Sequence, residues 1–152
     1  MITAPEGVEG DFNIRIVGNY YNIEEVPEEY RQYVEEIVEI KGISTYTFNY
    51  AKVIKGNYND TLYVYMNNID DTLRFEIRIY PQEIQGVRET YPGYTFEKEF
   101  EDEGICFDVF SKKEVSGVNT YIMYFYYGKE KYIVVGRMTE DTIRDIVIDY
   151  KN

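Results

Sequence analysis

Tyrosine side chains on two predicted strands are the first residues of this chain that could recognise a ligand. The chain holds 18 tyrosines among 152 residues. Tyr63 and Tyr65 alternate with apolar residues on one predicted strand, and Tyr124 and Tyr126 do so on another. Because successive side chains of a strand point to opposite faces, pairing of these two strands would gather the four rings on one face. Such a patch suits a carbohydrate, a peptide or a protein partner.

The same tyrosines also have a structural interpretation. Tyrosine is frequent in strands, where its ring packs on cross-strand neighbours and its hydroxyl reaches water. The sequence leaves both interpretations open, because the order of the strands decides which rings meet.

Nucleophilic and acid-base chemistry is poorly represented in the composition. The chain has no histidine and a single cysteine, Cys106. Ser-His-Asp and Cys-His systems and most zinc sites are therefore excluded. Cys106 lies in an apolar run without a basic neighbour, so we expect a buried and unreactive thiol.

Carboxylates are plentiful, but they fall where water solvates them. Asp70 and Asp71, for example, lie in a predicted turn, and a catalytic carboxyl needs burial or a close charged partner. No calcium-binding loop and no glycine-rich phosphate loop is present. We predict no catalytic residue, no metal site and no cofactor, and hence a protein that is not an enzyme.

The charge balance limits the partners. With 16 basic and 28 acidic residues the chain carries a formal charge of −12, which disfavours nucleic acid and anionic lipid surfaces. Solubility explains this acidity; the alternative is a cytoplasmic acidic inhibitor or immunity protein that neutralises a basic enzyme. No apolar run approaches the roughly 20 residues of a membrane span, so no transmembrane segment is expected.

Two segments have helical periodicity. Pro27 with the following glutamates marks a helix start, and an apolar stripe at i, i+3 and i+4 continues to Val38, before Lys41 and Gly42 end the helix. A second stripe predicts a helix over residues 140–150, which begins after Thr139.

Alternating apolar and polar residues predict strands in most of the remaining chain. Short links between them allow only antiparallel neighbours. We therefore expect one α+β domain over residues 1–152, an antiparallel sheet of seven or eight strands with two helices on one face and water on the other. The predicted strands are 12–16, 45–50, 62–66, 72–80, 94–100, 105–110, 118–127 and 132–137.

The C-terminal quarter of the chain shows a pattern of strand, tight turn, strand and closing helix. Its tyrosine-rich strand, the turn at 128–131 and the helix start at Thr139-Glu140 resemble the ends of PsbP-like domains and of extracytoplasmic domains of unknown function in microbial envelope proteins. The resemblance implies a non-enzymatic interaction role at the cell envelope. The small, polar stretch 1–7 fits a chain that follows a removed signal or anchor. We expect a non-catalytic binding module that is envelope-associated or secreted; the inhibitor alternative is cytoplasmic.

Overall fold

The computed structural model describes residues 15–40, 43–56, 60–79, 91–102, 104–113, 119–127 and 130–137. These residues contain eight strands, one α-helix (α1, Glu28–Val38) and a short 3-10 turn (Ile23–Glu25). The strands are β1 (Arg15–Tyr20), β2 (Thr47–Lys55), β3 (Asp60–Asn67), β4 (Thr72–Ile79), β5 (Thr95–Asp102), β6 (Ile105–Lys113), β7 (Asn119–Tyr127) and β8 (Glu130–Arg137).

All eight strands form one antiparallel sheet in the order β1-β2-β3-β4-β8-β7-β6-β5. The order corresponds to two four-stranded meanders, β1–β4 and β5–β8, joined by pairing of β4 with β8. The short links place consecutive strands side by side. The predicted antiparallel sheet of seven or eight strands is confirmed.

Helix α1 covers part of one face of the sheet, here called the helix face. Its apolar stripe buries Tyr30, Val34 and Ile37. Pro27 is the N-cap residue, one position before the first helical turn in which the sequence pattern placed it. The second predicted helix, 140–150, lies outside the described residues. The described part of the chain is mainly β, so the expectation of two helices is met only in part.

A row of aromatic rings crosses the helix face within the second meander. Phe100, Phe107, Phe125 and Tyr132 lie directly opposite one another on β5, β6, β7 and β8. Successive ring centroids are 4.9, 4.9 and 5.0 Å apart. The ring of Phe107 is fully buried, and this row continues the apolar core of the first meander.

The opposite side of the sheet, here called the open face, is only partly open. Phe110, Ile122, Tyr124 and Ile133 form a second buried cluster there, with Tyr91 and Tyr94 packed against it. The expectation that this face meets water is therefore wrong for the part formed by β6, β7 and β8. The part formed by β2, β3 and β4 keeps partly exposed polar and aromatic side chains.

Two β-bulges change which face some aromatic residues occupy. The register of β2 shifts between Phe48 and Tyr50, and that of β5 shifts between Phe96 and Lys98. An extra residue in a strand inverts the alternation beyond it. Phe48 consequently packs on the helix face, whereas Tyr50 lies on the open face against Tyr65. The uninterrupted alternation predicted from Tyr46 to Tyr50 and from Tyr94 to Phe100 is wrong at these points.

Candidate ligand-binding face

The four tyrosines of the predicted patch lie on the same face but not side by side. Tyr63 and Tyr65 are on the open face of β3, and Tyr124 and Tyr126 are on the open face of β7. Strands β3 and β7 do not pair, because β4 and β8 lie between them. Three strand spacings separate the two pairs by about 14 Å. The face therefore carries two separate aromatic clusters.

The cluster on β7 is largely interior. Tyr124 is 5% exposed and donates a hydrogen bond of 2.8 Å from its hydroxyl to Oδ2 of Asp108. The Nζ atom of the fully buried Lys131 lies 4.7 Å from the ring centroid of Tyr124 and 5.6 Å from that of Tyr126. These cation–π contacts and the buried hydrogen bond fix the cluster as a packed polar-aromatic unit. A ligand has little access to the Tyr124 ring.

The cluster on β3 extends into a row of four partly exposed rings, here called the tyrosine ladder: Tyr21, Tyr50, Tyr65 and Tyr63. Tyr50 stacks on Tyr65 with centroids 4.3 Å apart and an interplanar angle of 12°. Tyr63 follows at 6.5 Å and 21°, and Tyr21 contacts Tyr50 at 5.6 Å. Tyr21, at the outer end, is 66% exposed. The ladder is a rigid aromatic surface beside solvent.

Two of the ladder phenols, those of Tyr50 and Tyr63, have raised pKa values. Burial raises the pKa of Tyr50, and the neighbouring Tyr65 raises it further. Burial also raises the pKa of Tyr63, with Glu76 adding to the effect. Nζ of Lys52 lies 5.1 Å from the Tyr63 centroid. At neutral pH Tyr50 and Tyr63 therefore present neutral hydroxyl groups and the ring edges and faces that their neighbours leave uncovered.

A cleft of about 620 Å³ begins at Tyr65, the third ring of the ladder. One wall is the β3–β4 hairpin, in which Oδ1 of Asn68 accepts hydrogen bonds from the backbone N–H groups of Asp70 (2.8 Å) and Asp71 (2.7 Å). This Asx-type turn fixes the hairpin loop. The cleft is polar apart from a few apolar residues, and it is lined by Tyr65, Asn67, Asn68, Ile69, Asp70, Asp71, Thr72, Arg74, Thr120, Val135, Gly136 and Arg137.

Two arginines give the cleft its donor groups. Arg74 lies directly opposite Tyr65 in the sheet, and the Nε atom of Arg74 is buried with no hydrogen-bond partner in the described part of the chain. Arg137 is about half exposed, and its Nη1 lies 3.7 Å from Oδ1 of Asp71. A buried N–H group normally has a partner, so the Arg74 Nε–H is an unsatisfied donor in a residue that lines the cleft.

Around the ladder and the cleft, the charge on the open face is opposite in sign to that of the whole chain. The strands β2, β3, β4 and β8 place five basic residues on this face and one acid, Glu76, which binds Arg78 at 2.8 Å. Even with Asp70 and Asp71 of the hairpin, the basic residues outnumber the acids in a chain of net charge −12. The five are Lys52, Arg74, Arg78, Lys131 and Arg137.

Other candidate chemistry gains no support from the described residues. No group of three or more Cys, Asp or Glu side chains among them is arranged to hold a metal ion. Cys106 is exposed, so the expectation of a buried thiol is wrong. It lies near the start of β6, opposite Glu101 of the edge strand β5, where the sheet leaves it uncovered.

Within the described ranges, no helix combines the length and the apolar character that a bilayer crossing requires.

Comparisons with protein-family models, with curated proteins and with solved structures each gave no match. The resemblance of the C-terminal segment to PsbP-like domains is thereby neither supported nor contradicted, and it stays a prediction.

Proposed function

We propose that this protein is a non-catalytic binding module that holds a saccharide chain along the tyrosine ladder. The observation that carries the proposal is the unbroken row of neutral rings from Tyr21 to Tyr63, which meets a polar cleft at Tyr65. Aromatic faces pack on the C–H faces of sugar rings, and they do so at a small cost in conformational entropy. The amide, hydroxyl and guanidinium groups of the cleft supply partners for sugar hydroxyls.

The composition of the cleft favours a saccharide over an apolar ligand or an aliphatic peptide segment. Asn67, Thr72 and Thr120 add donors and acceptors to the arginines, and Ile69 is the exposed apolar residue at the rim. A ligand that is polar at its edges and apolar on its ring faces satisfies both the cleft and the ladder. The proposal includes the location expected from the sequence, the cell envelope or exterior, where saccharide chains are displayed.

A glycan array followed by calorimetry tests the function. Wild-type protein is expected to bind at least one saccharide family. The double variant Tyr50→Ser/Tyr63→Ser should weaken that binding by tenfold or more. Stacking of a nucleobase on one aromatic side chain contributes about 1–3 kcal/mol, and we expect a sugar ring to gain a similar amount. The matched control is Tyr94→Ser, a half-buried tyrosine of the same face outside the ladder, which should bind as wild type does.

Three results would count against the proposal. The first is the absence of saccharide binding at millimolar ligand. The second is equal loss in Tyr94→Ser, which would attribute the effect to general destabilisation. The third is a loss of saccharide affinity in Tyr126→Ser as large as in the ladder variant. It would favour the single patch of four tyrosines predicted from the sequence.

A further inference from the structure

We infer that the cleft beside the ladder recognises a carboxylate, so that the saccharide bound there is one that carries an acidic sugar unit. The inference rests on the proposed function and adds to it the ligand group at one end of the site. Its starting point is Arg74, which lies beside Tyr65 at the place where the ladder meets the cleft.

The Nε–H of Arg74 is the donor that an acidic ligand would satisfy. That atom is buried and has no hydrogen-bond partner among the described residues. In arginine the Nε–H and one Nη–H point in parallel, at the spacing of the two oxygens of a carboxylate. A sugar hydroxyl could accept from one of these groups, whereas a carboxylate accepts from both.

A second guanidinium stands nearby on the same face. Arg137 follows Gly136 on β8, and Gly136 pairs with Leu73 of β4, so Arg137 and Arg74 are diagonal neighbours across two adjacent strands. Arg137 is partly neutralised by Asp71 at 3.7 Å. Arg74 therefore provides the directed contact, and Arg137 adds positive potential at the mouth of the cleft.

The charge pattern favours one acidic unit over a polyanion. The part of the open face formed by β2, β3, β4 and β8 is basic, but the chain as a whole carries −12, which repels ligands with many charges. The ladder itself presents neutral phenols, so the sugar units stacked on it need no charge. A saccharide with a single acidic residue, seated at Arg74, fits both conditions.

The test compares matched ligands and matched variants by calorimetry. The probes are a xylo-oligosaccharide that carries one glucuronic acid, the methyl ester of that acid, and the unsubstituted xylo-oligosaccharide, together with other neutral and acidic pairs from the array. We expect wild-type protein to bind an acid at least tenfold more tightly than its ester. Arg74→Gln should abolish this preference, with a much larger loss of affinity for the acid than for the ester, and Arg74→Lys should lose most of the preference because lysine lacks the planar pair of donors.

Arg78→Gln is the control for charge alone. Arg78 lies on the same strand and face, outside the cleft, and pairs with Glu76, so this variant should keep the preference for the acid. Equal affinity of wild type for acid and ester would overturn the carboxylate inference while leaving the saccharide function intact. If Arg78→Gln lost the preference for the acid as fully as Arg74→Gln, the carboxylate inference would be overturned as well, in favour of a diffuse charge effect. Failure of every acidic and neutral saccharide to bind would overturn the proposed function itself.

Discussion

At the scale of single residues, the tyrosines of this protein serve two different purposes. Those of the ladder present neutral rings to solvent, whereas Tyr30 of α1 is 3% exposed and ties the helix to the sheet. Its hydroxyl donates a 2.8 Å hydrogen bond to Oδ2 of Asp60 at the start of β3. Burial raises the pKa of Tyr30 above its ordinary value, and the hydrogen bond to Asp60 raises it further. The same chemical group is thus a surface contact at one site and a structural link at another.

We predict that Tyr30 makes the fold sensitive to alkaline pH. A raised pKa in the folded state means that the protonated phenol favours folding. Its contribution is complete below the unfolded pKa near 10 and is lost progressively as pH rises toward the folded pKa. Tyr30→Phe should lower the free energy of unfolding by about 1–3 kcal/mol at pH 7, because it removes a hydrogen bond to a charged acceptor.

Urea denaturation at pH 7 and at several values above pH 10 measures both effects. The loss of stability with rising pH should be shallower in Tyr30→Phe than in wild type. Tyr21→Phe, which removes a hydroxyl from a ring that is 66% exposed, should change the stability at pH 7 by no more than about 0.5 kcal/mol. Parallel pH profiles of wild type and Tyr30→Phe would contradict the prediction.

At the scale of elements, local sequence patterns predict most strands and helix α1, but they do not predict the β-bulges. Alternation around Tyr63 and Tyr65 placed both rings correctly together, because β3 has no register shift. Tyr50 was assigned to the same face as Phe48, and the bulge between them reverses this. A signal was present in the sequence: the apolar positions change from even to odd between Phe48 and the pair Ala51 and Val53.

Contacts between distant strands were not predictable from such patterns. The cleft depends on Arg74 of β4 meeting Val135 of β8, and no local property of either segment specifies that pairing. Short links predict which consecutive strands are neighbours, but the joining of the two meanders is a property of the whole sheet. The sequence patterns therefore do not identify Arg74 and Arg137 as site residues, although both lie in strands that these patterns predict correctly.

We predict that the aromatic row on the helix face is a principal source of stability for the second meander. Phe107 lies between Phe100 and Phe125, each with its ring centroid 4.9 Å away. Phe107→Ala should cost about 3–5 kcal/mol, since it leaves a cavity in a fully buried site. Phe96→Ala, at the edge of the sheet and 38% exposed, should cost about 1 kcal/mol.

Equilibrium denaturation in urea checks this difference. The two variants are compared with the same dependence of the unfolding free energy on urea concentration. If Phe107→Ala fails to fold, the milder Phe107→Leu serves in its place and should still cost more than Phe96→Ala. Similar losses for the two sites would show that the open-face cluster, and not the helix-face row, stabilises this half of the sheet.

At the scale of the whole molecule, the exposed acids of the edge strand β5 lie away from the basic residues beside the ladder. Exposed acids such as Glu97, Glu99 and Glu101 lie on the edge strand β5, where charge prevents edge-to-edge association. The basic residues of the open face lie on the central strands beside the ladder. We keep the interpretation that the charge of −12 serves solubility, and the inhibitor alternative stays a prediction to be tested.

The binding module and the acidic inhibitor predict different responses of binding to salt. Binding of a neutral oligosaccharide along the ladder should change by less than about twofold between 50 and 500 mM NaCl, because it involves no ion pair. Inhibition of a basic enzyme by a polyanion should instead weaken by about a hundredfold or more over this range. Calorimetry with the neutral saccharide and with a basic ribonuclease, each on wild type and on Tyr50→Ser/Tyr63→Ser, separates them. The inhibitor is favoured if both proteins bind the ribonuclease tightly at physiological salt and neither binds the saccharide. The binding module is favoured if wild type binds the saccharide at both salt concentrations and the ladder variant does not.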